Sequence, residues 1–235
     1  MANPATYCRK KISPLGATNW FFDGNAGILS AFLTLVIGMS RYSFEKSGDS
    51  RHSFRLMDIV YFDLETQRTA NDVGGWDKKH EMMMSVGVTF STADNKYEIF
   101  PESRVDDLIR RLQRADLVVG YNVVRFDYEV LMGYTVLALP EQLRTLDLLV
   151  DIEKAAGHRL KLDDVAQGTL GVGKVAEGLD AIRWWREGRV MEVAEYCCFD
   201  VKVTKLVHEY GAAHKELFFN DRFGRKQRLE IQWSA

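Results

Sequence analysis

Two carboxylates, Asp63 and Glu65, stand one residue apart at the end of the apolar run Ile59-Val60-Tyr61-Phe62. On an extended strand residues i and i+2 point to the same side, so both carboxylates aim into one space. Like charges crowded at the end of a buried strand are unfavourable unless a cation sits between them, and oxygen donors suit Mg²⁺ or Mn²⁺. Alone, such a pair reads more readily as an acidic strand end at a solvated turn. Asp127 follows in Asn122-Val123-Val124-Arg125-Phe126-Asp127, where an acid opening a helix is also favoured simply by the helix dipole. Tyr196 and Asp200 are four apart in Tyr196-Cys197-Cys198-Phe199-Asp200 and share a helix face. By itself that pair also reads as a half-buried tyrosine beside a surface aspartate.

Taken together, in this order and at domain-scale spacing, the motifs resemble the DEDD superfamily of 3′–5′ exonucleases, in the branch whose third motif is Y-x-x-x-D. The stretch from Met57 to about Gly211 is similar to the proofreading domain of family B DNA polymerases. The resemblance implies a ribonuclease H-like fold and hydrolysis of phosphodiesters in DNA or RNA from a 3′ end, single-stranded by expectation. It implies Asp63, Glu65, Asp127, Tyr196 and Asp200 as catalytic residues, the four acids as metal ligands and two Mg²⁺ or Mn²⁺ ions as cofactors. A phosphodiester is already anionic, and two divalent ions about 4 Å apart can neutralise both the attacking and the leaving oxygen. By resemblance, Asp63 bridges both ions, Glu65 and Asp200 hold the ion that binds the attacking water, and Asp127 serves the other. Tyr196 positions the water; a phenol of ordinary pKa is a poor base. The competing reading is a catalytically inactive nucleic-acid-binding domain on the same scaffold, against which the intact acids argue.

Asn122 and Phe126 are candidates for touching the terminal nucleotide, although Phe126 also reads as core, and Thr66 offers a hydroxyl beside Glu65. Phosphate contacts are sought at Arg125, His158, Arg159, Lys161 and Lys174, and in the basic tail Arg222, Arg225, Lys226 and Arg228. Three tempting features fail. Gly171-Val172-Gly173-Lys174 has the wrong spacing for a phosphate loop and is followed by Val175. Trp184-Trp185 offers stacking surfaces, but adjacent helical tryptophans more often include one core residue. Cys197-Cys198 reads as packing, since neighbouring helical side chains point apart.

The elements that must position these residues are legible from Met57 onward. Met83–Thr89 and Lys96–Phe100 read as strands joined by an Asp94-Asn95 turn. Val105, Leu108, Ile109 and Leu112 recur at helical spacing, and Leu117–Gly120 is a further buried strand. A short helix over Phe126–Met132, an apolar segment at Leu146–Leu149, and helices over Leu160–Leu170, Ala181–Arg186 and Met191–Tyr210 follow, with a closing hairpin. This order predicts an α/β domain: a mixed β-sheet, an antiparallel meander followed by parallel strands, flanked by helices.

The 235 residues divide by this reading into an N-terminal extension, 1–56, poorly ordered or loosely attached, and one domain over 57–235. The apolar run Ala26–Met39 is short for a membrane span, so no stable membrane insertion is expected. A net charge of −2 leaves nucleic-acid contact to local patches rather than the overall field. Three cysteines without a C-x-x-C fit neither a disulfide framework nor a zinc site and point to a reducing, cytoplasmic setting.

Overall fold

The run that opens at Ile59 forms β1 (Ile59–Thr66), whose side chains alternate between the two faces of a sheet. The computed structural model describes residues 57–173, 176 and 178–233. The extension expected over residues 1–56, and Lys174 among the phosphate candidates, lie outside the described residues. β2 (Met84–Ser91), β3 (Lys96–Pro101), β4 (Leu117–Gly120) and β5 (Thr145–Asp147) complete a sheet in the order β3-β2-β1-β4-β5. The first three strands are antiparallel neighbours, while β1–β4 and β4–β5 pair parallel. This is the mixed α/β sheet that the element order predicts, and the central place of β1 explains why its apolar residues are buried on both faces.

The helices are α1 (Ala70–Val73), α2 (Val105–Gln113), α3 (Asp127–Leu131), α4 (Leu139–Gln142), α5 (Leu148–Ala156), α6 (Leu162–Leu170), α7 (Gly178–Arg186) and α8 (Val190–His214). Val60, Phe62 and Leu64 face a core layer with Leu108 and Leu112 of α2 and Tyr128 of α3. Tyr61 faces the opposite layer, with Cys197, Val201 and Val207 of α8. The alternation therefore puts Asp63 and Glu65 on the side of the long helix. That helix runs back along the strand: the Tyr61 hydroxyl and His208 Nδ1 are 2.8 Å apart near one end, and Cys197 lies against Asp63 near the other. A small hairpin, β6 (Glu216–Asn220) and β7 (Lys226–Glu230), closes the domain on this layer.

Several elements go beyond expectation, α4 among them. The polar stretch after β1 holds α1, nucleated by a capping box in which Thr69 Oγ1 accepts from the Asp72 amide and the Asp72 carboxylate accepts from the Thr69 amide. Leu146–Leu149 is the end of β5 and the start of α5, because Asp147 caps a helix whose Leu148, Leu149 and Ile152 face the core. No helix among the described residues is long and apolar enough to cross a membrane.

Candidate active site

Period-two geometry along β1 and the helical repeat of α8 bring separate parts of the chain together. One carboxylate oxygen each from Asp63, Glu65 and Asp200 lie within 4.8 Å of one another. The register between β1 and β2 slips between Glu65 and Thr66, a bulge at the acidic end of the strand. Asp127 arrives by another route. At Gly120 the chain leaves the sheet; a Cβ there would sit 2.1 Å from Val123 Cγ1 and 2.9 Å from the Phe62 carbonyl. Beyond this point β4 no longer pairs with β1, and Asp127 Oδ1 accepts the Leu64 amide at 3.1 Å instead.

All four acids are held well away from their ordinary protonation range. Burial is the first cause at each, and repulsion from nearby carboxylates adds to it, from within the cluster at Asp63 and Glu65 and from Asp147 and Asp163 at Asp127 and Asp200. Asp63 is pushed well above the usual carboxylate range by burial and by Asp127, Asp200 and Glu65, and Glu65 likewise by burial, Asp200 and Asp127. Asp127 is pushed up to about 8, with the Leu64 amide working in the other direction. Asp200 is pushed up to about 7, again by burial, against the stabilising hydrogen bond from Tyr196 and with added repulsion from Asp163. Crowded, desolvated oxygen ligands of this kind fit hard divalent cations, which would supply the missing positive charge.

Tyr196 donates to Asp200, and the edge of its ring meets Trp184 with centroids 6.3 Å apart. Burial and the charges of Asp200, Glu65 and Asp63 push its phenol far up, so it stays protonated. Cys197, the next residue, does more than pack. It is fully buried, and its Sγ is 3.4 Å from both the carbonyl oxygen and Oδ2 of Asp63. Burial and the surrounding acids push its thiol up as well, which keeps it a donor. The sequence reading of Cys197 as packing alone is corrected accordingly.

Asp147 was also missed. Its Oδ1 accepts the amides of Asn122 at 2.7 Å and Leu149 at 3.1 Å, and Oδ2 accepts that of Val124 at 3.0 Å. One carboxylate thus caps α5 and shapes the loop that leads to Asp127, with Asn122 held at a φ of 68°. The only trace of this in the sequence is an acid where a short apolar segment should continue. Asp147→Ala strands three amides, two of them shaping the site loop, and is expected to cost about 2–4 kcal/mol by urea denaturation, as loss of several charge-assisted hydrogen bonds implies. Unchanged stability would show that water or the backbone replaces the carboxylate.

The other candidates each have contacts of their own. Thr66 is buried and its hydroxyl donates to the Arg68 carbonyl at 3.1 Å. Phe126 is half-buried against Ala70, Val73 and Met82, with Trp76 6.4 Å from its ring. Arg159 reaches Asn122 Oδ1 at 3.4 Å, whereas Arg125 pairs with Glu153 at 2.5 Å, and Lys161 is exposed just before α6. His158 Nδ1 lies 3.1 Å from the Ala156 carbonyl. In the hairpin, Arg225 pairs with Asp221, Arg228 pairs with Glu216 and Glu230, and Arg222 and Lys226 lie over Phe223 and Phe218. Much of the basic tail is therefore engaged within the hairpin. Neither Trp184 nor Trp185 is a core residue; both are half-buried, and Trp185 lines a groove of about 730 Å³ with Gln67, Arg68 and Arg186.

Comparison with known proteins bears on the fold. The family model described as RNase H superfamily matches residues 60–210. No curated protein matches the chain. Among solved structures, the family B DNA polymerase from the hyperthermophilic archaeon Pyrobaculum calidifontis is similar, with a TM-score of 0.51 and 16% identity over 67% of this chain. The shared region is 25% of the polymerase chain, and the likeness is one of fold. Both findings agree with the ribonuclease H-like architecture that the three motifs imply.

Proposed function

We propose, from the premise that this chain belongs to the RNase H superfamily, that it is a metal-dependent 3′–5′ exonuclease acting on single-stranded ends of DNA or RNA. The observation that carries this reading is the meeting of Asp63, Glu65 and Asp200, with Asp127 acting on the same cluster and Tyr196 bonded to Asp200. Asp63, Glu65 and Asp200 would hold one divalent ion, and Asp127 with Asp63 a second. When bound, such ions acidify a water and neutralise charge on the attacked phosphate.

In the reaction a water oxygen bonds to the phosphorus of the last phosphodiester while the bond to the preceding nucleotide's 3′ oxygen breaks. A 5′-mononucleotide leaves and the shortened strand keeps a 3′-hydroxyl. Tyr196, which keeps its own proton, orients the water rather than deprotonating it. Asn122, Phe126 and Thr66 hold the terminal nucleotide, and Lys161 and Arg125 contact phosphate, Arg125 by exchanging Glu153 for the strand.

The test is digestion of 5′-labelled single strands with Mg²⁺ or Mn²⁺, read as a ladder shortening from the 3′ end. Strand binding without cleavage under every metal condition favours the inactive binding domain instead. Tyr196→Phe is expected to lower kcat about 10- to 100-fold through misplacement of the water. A wild-type kcat would remove the orienting role.

A further inference from the structure

We infer that Cys197 is a positioning residue for Asp63: its thiol fixes the carboxylate in the orientation that ligates metal. On the inner face of α8, Val193, Cys197 and Val201 follow one another at intervals of four, and all three are fully buried. The two valines belong to a purely apolar ridge. The residue between them lands on the acidic end of β1, and there a third valine would fill the space but donate nothing. The thiol instead spans the backbone carbonyl and the side chain of a single residue, 3.4 Å from each, which restricts how the Asp63 carboxylate can turn.

The choice of donor matters. A carboxylate has about four lone-pair sites, and an S–H is a weak, neutral donor that occupies one of them. The remaining sites stay available to cations, and the negative charge is left intact. A lysine or arginine in this place would compete with the metal it is meant to serve. The neighbouring acids are steadied by neutral donors too: Asp127 by the Leu64 amide and its own, and Asp200 by the Tyr196 hydroxyl. Outer partners that orient metal ligands typically contribute 10- to 100-fold in metal affinity.

This inference rests on the metal-dependent reading of the site, and the experiment separates the two. Mn²⁺ binding is measured by calorimetry and by loss of the free-ion electron paramagnetic resonance signal, for wild type, Cys197→Val, Cys197→Ala and Cys197→Ser. Valine keeps the packing without the donor, alanine covers the case in which valine fails to fold, and serine keeps a donor. Valine and alanine are expected to weaken Mn²⁺ binding about 10- to 100-fold while still melting cooperatively, with serine recovering most of the loss. The Mn²⁺ concentration for half-maximal hydrolysis should shift in parallel. Wild-type affinity in the valine or alanine variant overturns the positioning role alone. No Mn²⁺ binding by the wild type overturns the metal reading and this role with it.

Discussion

Asp63→Asn is expected to abolish hydrolysis, by at least about 10³-fold, while making the metal-free protein more stable. The two effects share one cause. Asp63 is the acid that touches every part of the cluster: Asp127, Asp200 and Glu65 all raise its pKa, and its oxygen lies within 4.8 Å of those of Glu65 and Asp200. On the proposed mechanism, removing its charge would deprive the two cations of a shared ligand, and several kcal/mol of charge neutralisation in the transition state correspond to three or more orders of magnitude. Without cations the folded protein either holds that charge against its neighbours or keeps a proton that the unfolded chain releases, and both cost stability. Asparagine keeps the size of the side chain and an acceptor for the Cys197 thiol, so the fold loses little and the repulsion is relieved. Relief of this kind commonly yields about 0.5–2 kcal/mol, or roughly 1–8 °C for a domain of this size. Melting in EDTA beside a timed digestion in Mn²⁺ checks both halves. A variant that melts lower than wild type in EDTA would mean that the cluster is not held against repulsion, and a variant that still digests strands would take Asp63 out of the reaction.

What the sequence made legible is what local periodicity controls. The two-residue repeat of β1 puts Asp63 and Glu65 on one side, and the helical repeat puts Tyr196 and Asp200 on one face of α8. The sheet followed from the order of apolar runs and turns. What stayed hidden depends on where one element stops against another. That Asp127 takes the Leu64 amide follows from β4 parting from β1 after Tyr61 and Val119, and nothing in the hexapeptide around Asp127 encodes that. Helical geometry correctly separates Cys197 from Cys198, but it does not say which one meets an acid. Adjacent tryptophans on a helix usually include one core residue, but the buried residues of α7 are Ala181 and Ile182, and both rings are half-buried. Asp147 was overlooked because capping acids announce themselves only when the helix behind them has been recognised. The basic residues of the tail read as phosphate contacts in sequence because only the hairpin pairing places Glu216, Asp221 and Glu230 beside them.

In EDTA, stability is expected to fall as pH rises from about 5 to about 8, and saturating Mg²⁺ or Mn²⁺ should cancel the fall. Unfolded aspartate and glutamate titrate near pH 4. In the folded protein Asp200 is pushed up to about 7, Asp127 to about 8, and Asp63 and Glu65 well above their ordinary range. The native state therefore binds more protons than the unfolded chain throughout this window, and stability must decrease with pH, by about 1.4 kcal/mol per pH unit for each proton retained. This contribution is fully present below about pH 4 and lost as pH passes through the folded values. Asp58 acts in the opposite sense: its hydrogen bonds to Ser91 and Arg111 outweigh burial and lower its pKa, so its contribution is lost only on acidification. Its titration lies below the window; His208, whose pKa burial lowers, adds stability as pH rises towards about 7 and so offsets part of the fall. Cations bind the ionised carboxylates, so their stabilisation must grow with pH, reaching about 4 kcal/mol at a thousandfold excess over Kd for a single site. Urea midpoints at pH 5.5 and 8, each in EDTA and in Mn²⁺, give the four numbers required. A flat profile in EDTA, or an equal metal-induced shift at both pH values, would mean that these acids are not the groups that bind the ions. Asp127→Asn should flatten the EDTA profile in part, because it removes one of the protons that the native state holds.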